Sequence, residues 1–252
     1  MGLAVLGGLF VCAHLAWRTL PSLGNTAASV EATERMVASA PRTLVVAAHP
    51  DDIEWYLGGT VARLTAASTK VTFVIATNGE GGRGPQPGLG EQRRAEQQEA
   101  ARRLGVNDLV FLGLRDGGLR WAGGLLSMIA AVWQEVRPEL VFSFDAALPR
   151  APYVHPDHQA IGRAVRDIHA SSVGRTATVL LFHSRRPDTL VDIGDVMDQK
   201  LHALAAHESQ GPGWAFKTLR STGSQLARPA GLAYAEAFRR LQPEANRQRA
   251  GS

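Results

Sequence analysis

Residues 43–54 read TLVVAAHPDDIE, an apolar β-branched run that leads directly into a cluster of histidine and carboxylate side chains. The apolar half is typical of a strand that is buried on both faces, and Pro50 turns the chain immediately after His49. A second cluster, HPDH at 155–158, follows another apolar run at 140–145. Two such clusters at the ends of two predicted strands indicate a hydrolytic metal site.

On both sides of the second cluster, short β-branched runs alternate with longer helical patterns. We predict strands at 43–49, 70–77, 109–113, 140–145 and 177–183. We predict helices at 57–68, 90–104, 124–136 and 158–171, with two more near 195–208 and 231–241 at the edges of the sheet. This alternation predicts right-handed βαβ units. The expected fold is therefore α/β and Rossmann-like, a mostly parallel sheet with helices on both faces.

The length of 252 residues and the balance of 45% hydrophobic and 20% charged residues suit a globular α/β domain, which we place at 42–242. A polar, partly helical linker at 21–41 precedes it, and a disordered polar tail at 243–252 follows it. The net charge of +4 comes without a Lys/Arg block, so no nucleic-acid partner is predicted. Cys12 is the single cysteine, which excludes an internal disulfide and a thiolate metal cluster. The composition leaves the oligomeric state open.

The N-terminal residues 2–17 are apolar, and Arg18 ends the run. A helix over them reaches about 24 Å, somewhat less than the roughly 30 Å hydrocarbon core, and the next two residues can lengthen it. We therefore predict a hydrophobic helix at 1–20 that acts as a single-pass membrane anchor, with a cleaved signal segment or a buried helix as alternatives. Arg18, Arg35 and Arg42 follow this segment and no basic residue precedes it, which favours a cytoplasmic domain. Cleavage would instead make the protein secreted.

Ligands of doubly wound sheets gather at the carboxyl ends of the strands, so His49 and the 146–158 loop are expected on one rim. Pro50 allows Asp51 and Asp52 to point in different directions, one towards a metal and one free. Two imidazoles and one carboxylate leave a coordination position open for water, as in catalytic zinc sites, and the same donors suit Fe²⁺. A free carboxylate then accepts a proton, and a further histidine stabilises the oxyanion. Turn and N-cap chemistry would explain either cluster alone, but not both together.

Other candidate motifs carry less weight. The glycines of 79–84 satisfy G-x-G-x-x-G, but PQPG at 85–88 delays the next helix, so its N-terminus lies too far away to hold a pyrophosphate. A loop that closes over substrate is the preferred interpretation. His169, His183 and His202 are expected at the surface or in the core rather than as ligands.

Several stretches resemble the PIG-L/LmbE-like deacetylase family and occur in the family's order. They are AHPDDIE (48–54), TNGEGG (77–82), the helix with Arg93 and Glu96, FLGLRDGGL (111–119), HPDH (155–158) and KLHALAAHESQ (200–210). The resemblance covers roughly residues 43–210. It implies a Rossmann-like fold and zinc-dependent removal of acetyl groups from N-acetylglucosamine units.

The resemblance also implies roles for individual residues. The metal ligands would be His49, Asp52 and His158. Asp51 matches the family's general base, and His155 matches the histidine that polarises the substrate carbonyl. Asp157 would orient that histidine, and Arg93 would help to hold the sugar or its phosphate. His207, in the AHESQ stretch, matches a family position for which the residues themselves predict no chemistry.

The favoured hypothesis is a membrane-anchored, zinc-dependent (or Fe²⁺-dependent) N-deacetylase acting on an N-acetylglucosamine-containing lipid or glycoconjugate. A deacetylase of a small soluble amino-sugar conjugate is the enzymatic alternative. A non-catalytic, membrane-tethered carbohydrate-binding protein is the alternative from another class. Asp51 argues against that last possibility, because binding alone does not require a free base beside the metal.

Overall fold

The computed structural model describes residues 27–82, 84, 86–150 and 154–242. The hydrophobic helix predicted at 1–20 and the tail predicted at 243–252 lie outside these residues. Among the helices that are described, none is both long enough and apolar enough to cross a membrane. The expected linker at 21–41 contains a helix, as its composition indicated.

In the described part of the chain, seven strands form a single sheet. In chain order they are β1 (Arg42–Ala47), β2 (Lys70–Thr77), β3 (Asp108–Leu114), β4 (Leu140–Phe144), β5 (Thr178–Phe182), β6 (Thr189–Asp192) and β7 (Ala235–Arg240). The helices are α1 (Ala27–Ala38), α2 (Asp52–Ala66), α3 (Leu89–Arg103), α4 (Leu125–Val136), α5 (Pro156–Ala170), α6 (Met197–Leu204) and α7 (Ala215–Ala227). Short 3₁₀ turns lie at Leu119–Trp121, Glu208–Gln210, Pro212–Trp214 and Arg228–Ala230.

The strand order is β3-β2-β1-β4-β5-β7-β6. The first five strands in this order are parallel, while β7 runs antiparallel to both β5 and β6. The chain moves from β1 outwards to β3 and then returns to β4 beside β1. Right-handed crossovers therefore place helices on opposite faces of the two halves. The α/β fold with a mostly parallel sheet is confirmed.

The core explains why the strands read as continuous apolar runs. Every residue of β4, and every residue of β1 after Arg42, is buried. Helix α6 packs against α2 and α3. Helices α4 and α5 pack against each other and form a separate group. Strands covered on both faces have no polar side to alternate with, which is why the parallel strands could be located from composition.

The sequence predicts a helix near 231–241, and this prediction is wrong, because Ala235–Arg240 forms β7. Alanine, glutamate and arginine favour helix intrinsically, but pairing with β5 and β6 and burial of Phe238 outweigh that preference. The four-residue β6 and the helix α7 were not predicted. Helix α2 begins at Asp52, five residues earlier than expected, so the second aspartate of the HPDD stretch opens the helix.

Candidate active site

The turn between β1 and α2 holds three of the predicted site residues. The backbone amides of Ala48 and His49 donate to the Asp52 carboxylate at 3.2 and 2.8 Å. Asp51 has a φ of 97°, in the left-handed region that non-glycine residues rarely enter. The turn therefore separates the two aspartates: the backbone fixes Asp52, while the Asp51 carboxylate lies 3.2 Å from Arg93.

The three predicted metal ligands lie together. One oxygen of Asp52 lies 3.4 Å from Nδ1 of His49, and the other lies 3.2 Å from Nε2 of His158. His158 belongs to the first turn of α5 and stacks on Phe144, with ring centroids 3.8 Å apart. The Asp52 carboxylate thus contacts one histidine that follows β1 and one that follows β4. These two neighbouring strands are the point at which the strand order of the sheet reverses.

His155 lies beside this group as the N-cap residue of α5. Its Nδ1 accepts a hydrogen bond from the Asp157 amide at 3.2 Å. One ligand-type nitrogen from each of His49, His155 and His158 falls within a set whose members all lie within 4.8 Å of one another. Burial and the two neighbouring histidines lower the pKa of His155, which favours its neutral ring.

Asp157 is fully buried and anchors the loop after β3. Its carboxylate accepts from the amides of Gly117 at 2.7 Å and Leu119 at 3.1 Å, and it lies 3.4 Å from Nε2 of His49. We expected Asp157 to orient His155, and it touches that ring through its backbone amide. Its carboxylate instead supports His49.

Asp116 was not singled out from the sequence, although it lies in the FLGLRDGGL stretch after β3. Its Oδ1 lies 3.1 Å from Nε2 of His49, and its Oδ2 accepts from the Gly81 amide at 2.9 Å. Ligand-type atoms of His49, Asp116 and Asp157 form a second group within 4.8 Å of one another. The signal that would have found Asp116 is its position at the carboxyl end of a third parallel strand.

The pKa values of the two adjacent aspartates are shifted in opposite directions. Burial raises the pKa of Asp51 to about 6 against the opposing charge of Arg93, and the neighbouring Asp52 adds to the rise. Burial acts on Asp52 in the same sense, but His158 and His49 outweigh it and hold its pKa well below the usual range. In this arrangement Asp51 is the better proton acceptor of the pair.

Arg93 is buried behind Asp51 rather than extended into solvent. Its guanidinium donates to the carbonyls of Gly79 at 2.8 Å and Pro50 at 2.5 Å, and to Asp51 at 3.2 Å. It also forms part of the cavity wall described below. The role expected from the sequence is substrate binding, and the observed contacts are those of a residue that fixes Asp51 and the backbone at Pro50 and Gly79.

A second buried network supports the same turn. Nε2 of His207 lies 3.0 Å from Glu54, and neither side chain is exposed. Gln97 donates to Glu54 at 2.9 Å and accepts from the Asp51 amide at 3.0 Å. His207 is thus connected through Glu54 and Gln97 to the backbone of Asp51, a structural role that the residues of the sequence alone did not predict.

Most of the histidine and aspartate side chains described above line a cavity of about 630 Å³, namely His49, Asp51, Asp52, Asp116, His155, His158 and His207, together with Arg93. Trp55 and Trp214 pack together at its wall, with ring centroids 5.6 Å apart. His183, expected at the surface or in the core, also lines the cavity, and burial lowers its pKa to about 4. His169 is buried against the Gly174 carbonyl, and His202 is exposed, so neither lies in the cavity wall.

Comparison with known sequences decides the family. The sequence profile of the PIG-L family, described as GlcNAc-PI de-N-acetylase, matches residues 44–169, which contain both histidine clusters. The chain belongs to this family. The predicted resemblance is therefore confirmed. The family match ends before α6 and α7, two helices that also line the cavity.

Individual relatives agree with that assignment. The chain is 34% identical over 188 residues to "Probable N-acetyl-alpha-D-glucosaminyl L-malate deacetylase 2" of Bacillus cereus, covering 66% of this chain and 82% of the relative. It is 29% identical over 221 residues to diacetylchitobiose deacetylase of Thermococcus kodakarensis, covering 79% and 82%. The solved N,N'-diacetylchitobiose deacetylase of Pyrococcus horikoshii superposes with a TM-score of 0.74 at 26% identity, covering 83% and 86%.

The donors of the site fit the divalent metal that the family implies. Imidazole nitrogens and carboxylate oxygens are the ligands that Zn²⁺ and non-haem Fe²⁺ take in proteins, and both types converge on His49. Asp52 contacts both other members of the predicted ligand set. The two sets of three donors whose ligand atoms all lie within 4.8 Å of one another are His49 with His155 and His158, and His49 with Asp116 and Asp157.

Proposed function

We propose that this protein is a metal-dependent N-deacetylase that removes the acetyl group from a 2-acetamido-2-deoxyglucose unit of a glycoconjugate. The observation that carries the proposal is the pairing of Asp51 and Asp52. One carboxylate lies between two histidines, and the other stands in the same cavity as a proton acceptor held by Arg93.

In this proposal His49, Asp52 and His158 hold the metal, which we infer to be zinc, with Fe²⁺ as the alternative. When bound, such an ion makes water nucleophilic near neutral pH and polarises a carbonyl. Asp51 accepts the proton of the attacking water, and Arg93 keeps it aimed at the cavity. Asp157 and Asp116 orient the His49 ring through Nε2.

His155 completes the chemistry that the chain supplies. Its ring lies 4.8 Å from that of His49 and 4.9 Å from that of His158, centroid to centroid. From there its neutral ring can donate a hydrogen bond to the oxygen of the acetyl carbonyl as negative charge develops, while the proton that Asp51 takes from water passes to the departing amine. The products are acetate and the free amino sugar.

The substrate is inferred from the relatives. Their names describe amino-sugar conjugates with L-malate and a diacetylated disaccharide. These names support a glycoconjugate rather than the lipid that the sequence also suggested. Membrane attachment through residues 1–20 and a cytoplasmic domain stay predictions.

Acetate release tests the proposal. Purified protein is incubated with a panel of N-acetylglucosamine conjugates, with and without a chelator, and acetate is quantified. We expect the chelator to abolish release and zinc to restore it. Asp51→Asn should lower kcat by about 10²–10⁴-fold while the metal content, measured by plasma emission, is unchanged. Asp167→Asn, an exposed aspartate of α5, is the matched control.

The carbohydrate-binding alternative predicts the opposite result in the acetate-release experiment. A pure binding protein would retain affinity for the conjugates, release no acetate and show no response to Asp51→Asn. Release that is insensitive to both chelator and Asp51→Asn would refute the proposed chemistry.

A further inference from the structure

Helix α2 carries Asp52 into the site, and it is bent a short distance beyond that residue. Leu57 has φ −144° and ψ 20°, which is not helical, so it divides α2 into a leading segment (52–56) and a trailing segment (58–66). The leading segment holds Asp52 and Trp55, and both line the cavity. Whatever fixes the bend therefore sets the direction of the segment that carries a proposed metal ligand.

The amides that open the trailing segment are bound by a carboxylate from another element. A break in a helix leaves the first amides after it without intrahelical partners. The amides of Gly59 and Thr60 donate to the Glu236 carboxylate at 3.0 and 2.7 Å. They belong to the second and third residues after Leu57, the amides that an N-cap side chain usually accepts, and leucine has no acceptor to offer. Glu236 on β7 thus caps a helix of which it is not part, and its charge is favourable at that helix end.

The remaining contacts of Glu236 hold its carboxylate in one position. Its Oε2 also accepts from the Thr60 hydroxyl at 2.6 Å, and its Oε1 lies 2.6 Å from Nζ of Lys200 on α6. Both charged side chains are buried. A buried ion pair adds little net stability, and its hydrogen bonds must satisfy the remaining oxygen lone pairs. Since those bonds come from α2, the pair determines where the trailing segment lies.

Two glycines let α2 approach these partners closely. A Cβ atom on Gly59 would lie 2.7 Å from Cγ2 of Ile193, which directly follows β6. A Cβ atom on Gly58 would lie 3.2 Å from Cγ of Lys200. Neither glycine has a positive φ, so space and not backbone conformation requires them. The trailing segment is therefore packed tightly against elements that follow the family match, which ends at residue 169.

The leading segment is fixed at both of its ends. At its start, the amides of Ala48 and His49 bind the Asp52 carboxylate. At its other end lies the bend that Glu236 caps. The distance from Asp52 to Leu57 is about 7.5 Å at the helical rise, so a shift at the bend is transmitted over little more than one turn.

We propose that Glu236 is a positioning residue for the deacetylation. By capping the trailing segment it sets the direction of the leading segment, and so it places Asp52 and the neighbouring Asp51 in the cavity. The inference rests on the proposed function and adds to it a residue outside the family match. Because Glu236 acts through the geometry of the reacting groups, its loss should change kcat more than KM.

Glu236→Gln tests this inference, because glutamine keeps the size of the side chain but replaces one acceptor oxygen by a donor. We expect kcat to fall by about 10- to 10²-fold while KM changes by only a few fold. Steady-state kinetics measure both constants on protein whose folding is verified by circular dichroism and whose metal content is verified by plasma emission. Glu135→Gln, an exposed glutamate of α4, is the matched control and should behave as wild type.

A milder pair of variants covers the case in which Glu236→Gln does not fold. Thr60→Val removes the hydroxyl donor without leaving a buried charge unpaired, and it should lower kcat by a few fold. Thr60→Ser keeps the donor and should retain the wild-type kcat more closely than Thr60→Val does. Equal kcat in both variants and in the wild type would overturn the inference.

Two results with folded Glu236→Gln would overturn the inference while leaving the deacetylase proposal intact. One is an unchanged kcat. The other is a rise in KM at constant kcat, which would make Glu236 a substrate contact, since it also lines the cavity.

Hydrogen exchange decides the matter if the wild type releases no acetate, a result that would refute the proposed function alone. The Trp55 amide donates to the Asp51 carbonyl at 2.9 Å, so it reports on the start of the leading segment. Glu236→Gln should accelerate exchange at Trp55 as well as at Gly59 and Thr60, measured by NMR. Acceleration confined to Gly59 and Thr60 would show that the cap does not act on the site, and would overturn the inference.

Discussion

Asp51 depends on Arg93 for its position. The guanidinium reaches the carboxylate and two backbone carbonyls at once, which requires a planar group with several fixed donors. A lysine has one compact ammonium and cannot occupy all three contacts. Two roles of Arg93 can therefore be distinguished kinetically. Loss of a residue that positions Asp51 lowers kcat, whereas loss of a residue that binds the sugar raises KM.

We predict that Arg93→Lys lowers kcat by about 10²-fold, because a small displacement of the base is costly, while KM changes by only a few fold. Steady-state kinetics on the best conjugate of the panel measure both constants. Arg94→Lys, at the exposed neighbouring position, is the control and should behave as wild type. A large rise in KM at constant kcat would instead make Arg93 the sugar-binding residue that the family resemblance implies.

The residues of the site differ in how far they could be predicted. His49, Asp51, Asp52, His155 and His158 stand in two short runs whose chemistry is visible without a structure. Asp116 was missed because a single aspartate before two glycines is ordinary turn sequence. Its approach to His49 comes from the order of the strands, which local sequence does not contain.

Among the elements, β7 is joined by a charged contact to Asp145, the residue that directly follows β4. Arg239 donates to both oxygens of Asp145 at 2.6 and 2.8 Å. Burial alone would raise the pKa of Asp145, but Arg239, Ser184 and the Leu148 amide outweigh it and lower that pKa. The contact fixes the antiparallel part of the sheet to the parallel part.

This lowered pKa predicts how stability depends on pH. The unfolded carboxyl has its ordinary pKa near 3.9, above the folded value, so the contribution is present above about pH 4 and is lost as pH falls towards the folded pKa. Asp145→Asn should cost about 2 kcal/mol at pH 6 and progressively less below pH 4. Urea unfolding between pH 6 and pH 3 measures this, with Asp167→Asn as control. A constant difference between wild type and variant over that range would contradict the prediction.

The parallel strands were predictable because burial on both faces leaves a distinct apolar run. Strand β7 was not, since its sequence AEAFRR has a helix-forming composition and its pairing partners lie far away in the chain. Helix α7 lies in a segment of mixed polarity, AFKTLRSTGSQLA, whose apolar face borders a cavity. Where an element owes its state to distant partners, local pattern is a weak guide.

At the scale of the whole molecule, the site joins segments near positions 50, 116 and 155 that meet only when the sheet is complete. A metal held by such segments binds the folded chain and not the unfolded one. Its binding free energy therefore adds to the stability of the entire domain.

We predict that zinc at about 100 times its dissociation constant stabilises the chelator-treated protein by about 2.7 kcal/mol, which corresponds to a rise in Tm of roughly 5–10 °C. Differential scanning calorimetry measures the shift. Asp52→Ala, which removes a proposed ligand, should abolish it, and His202→Ala, at an exposed position, should preserve it. An equal shift in all three proteins would mean that zinc binds elsewhere.

The left-handed backbone at Asp51 has an evolutionary consequence. Besides glycine, only aspartate and asparagine enter that region with ease, so few replacements preserve the turn. A descendant that abandoned catalysis yet kept its architecture would therefore be expected to carry asparagine or glycine there. The residue at position 51 would then distinguish catalytically inactive members of the family from active ones.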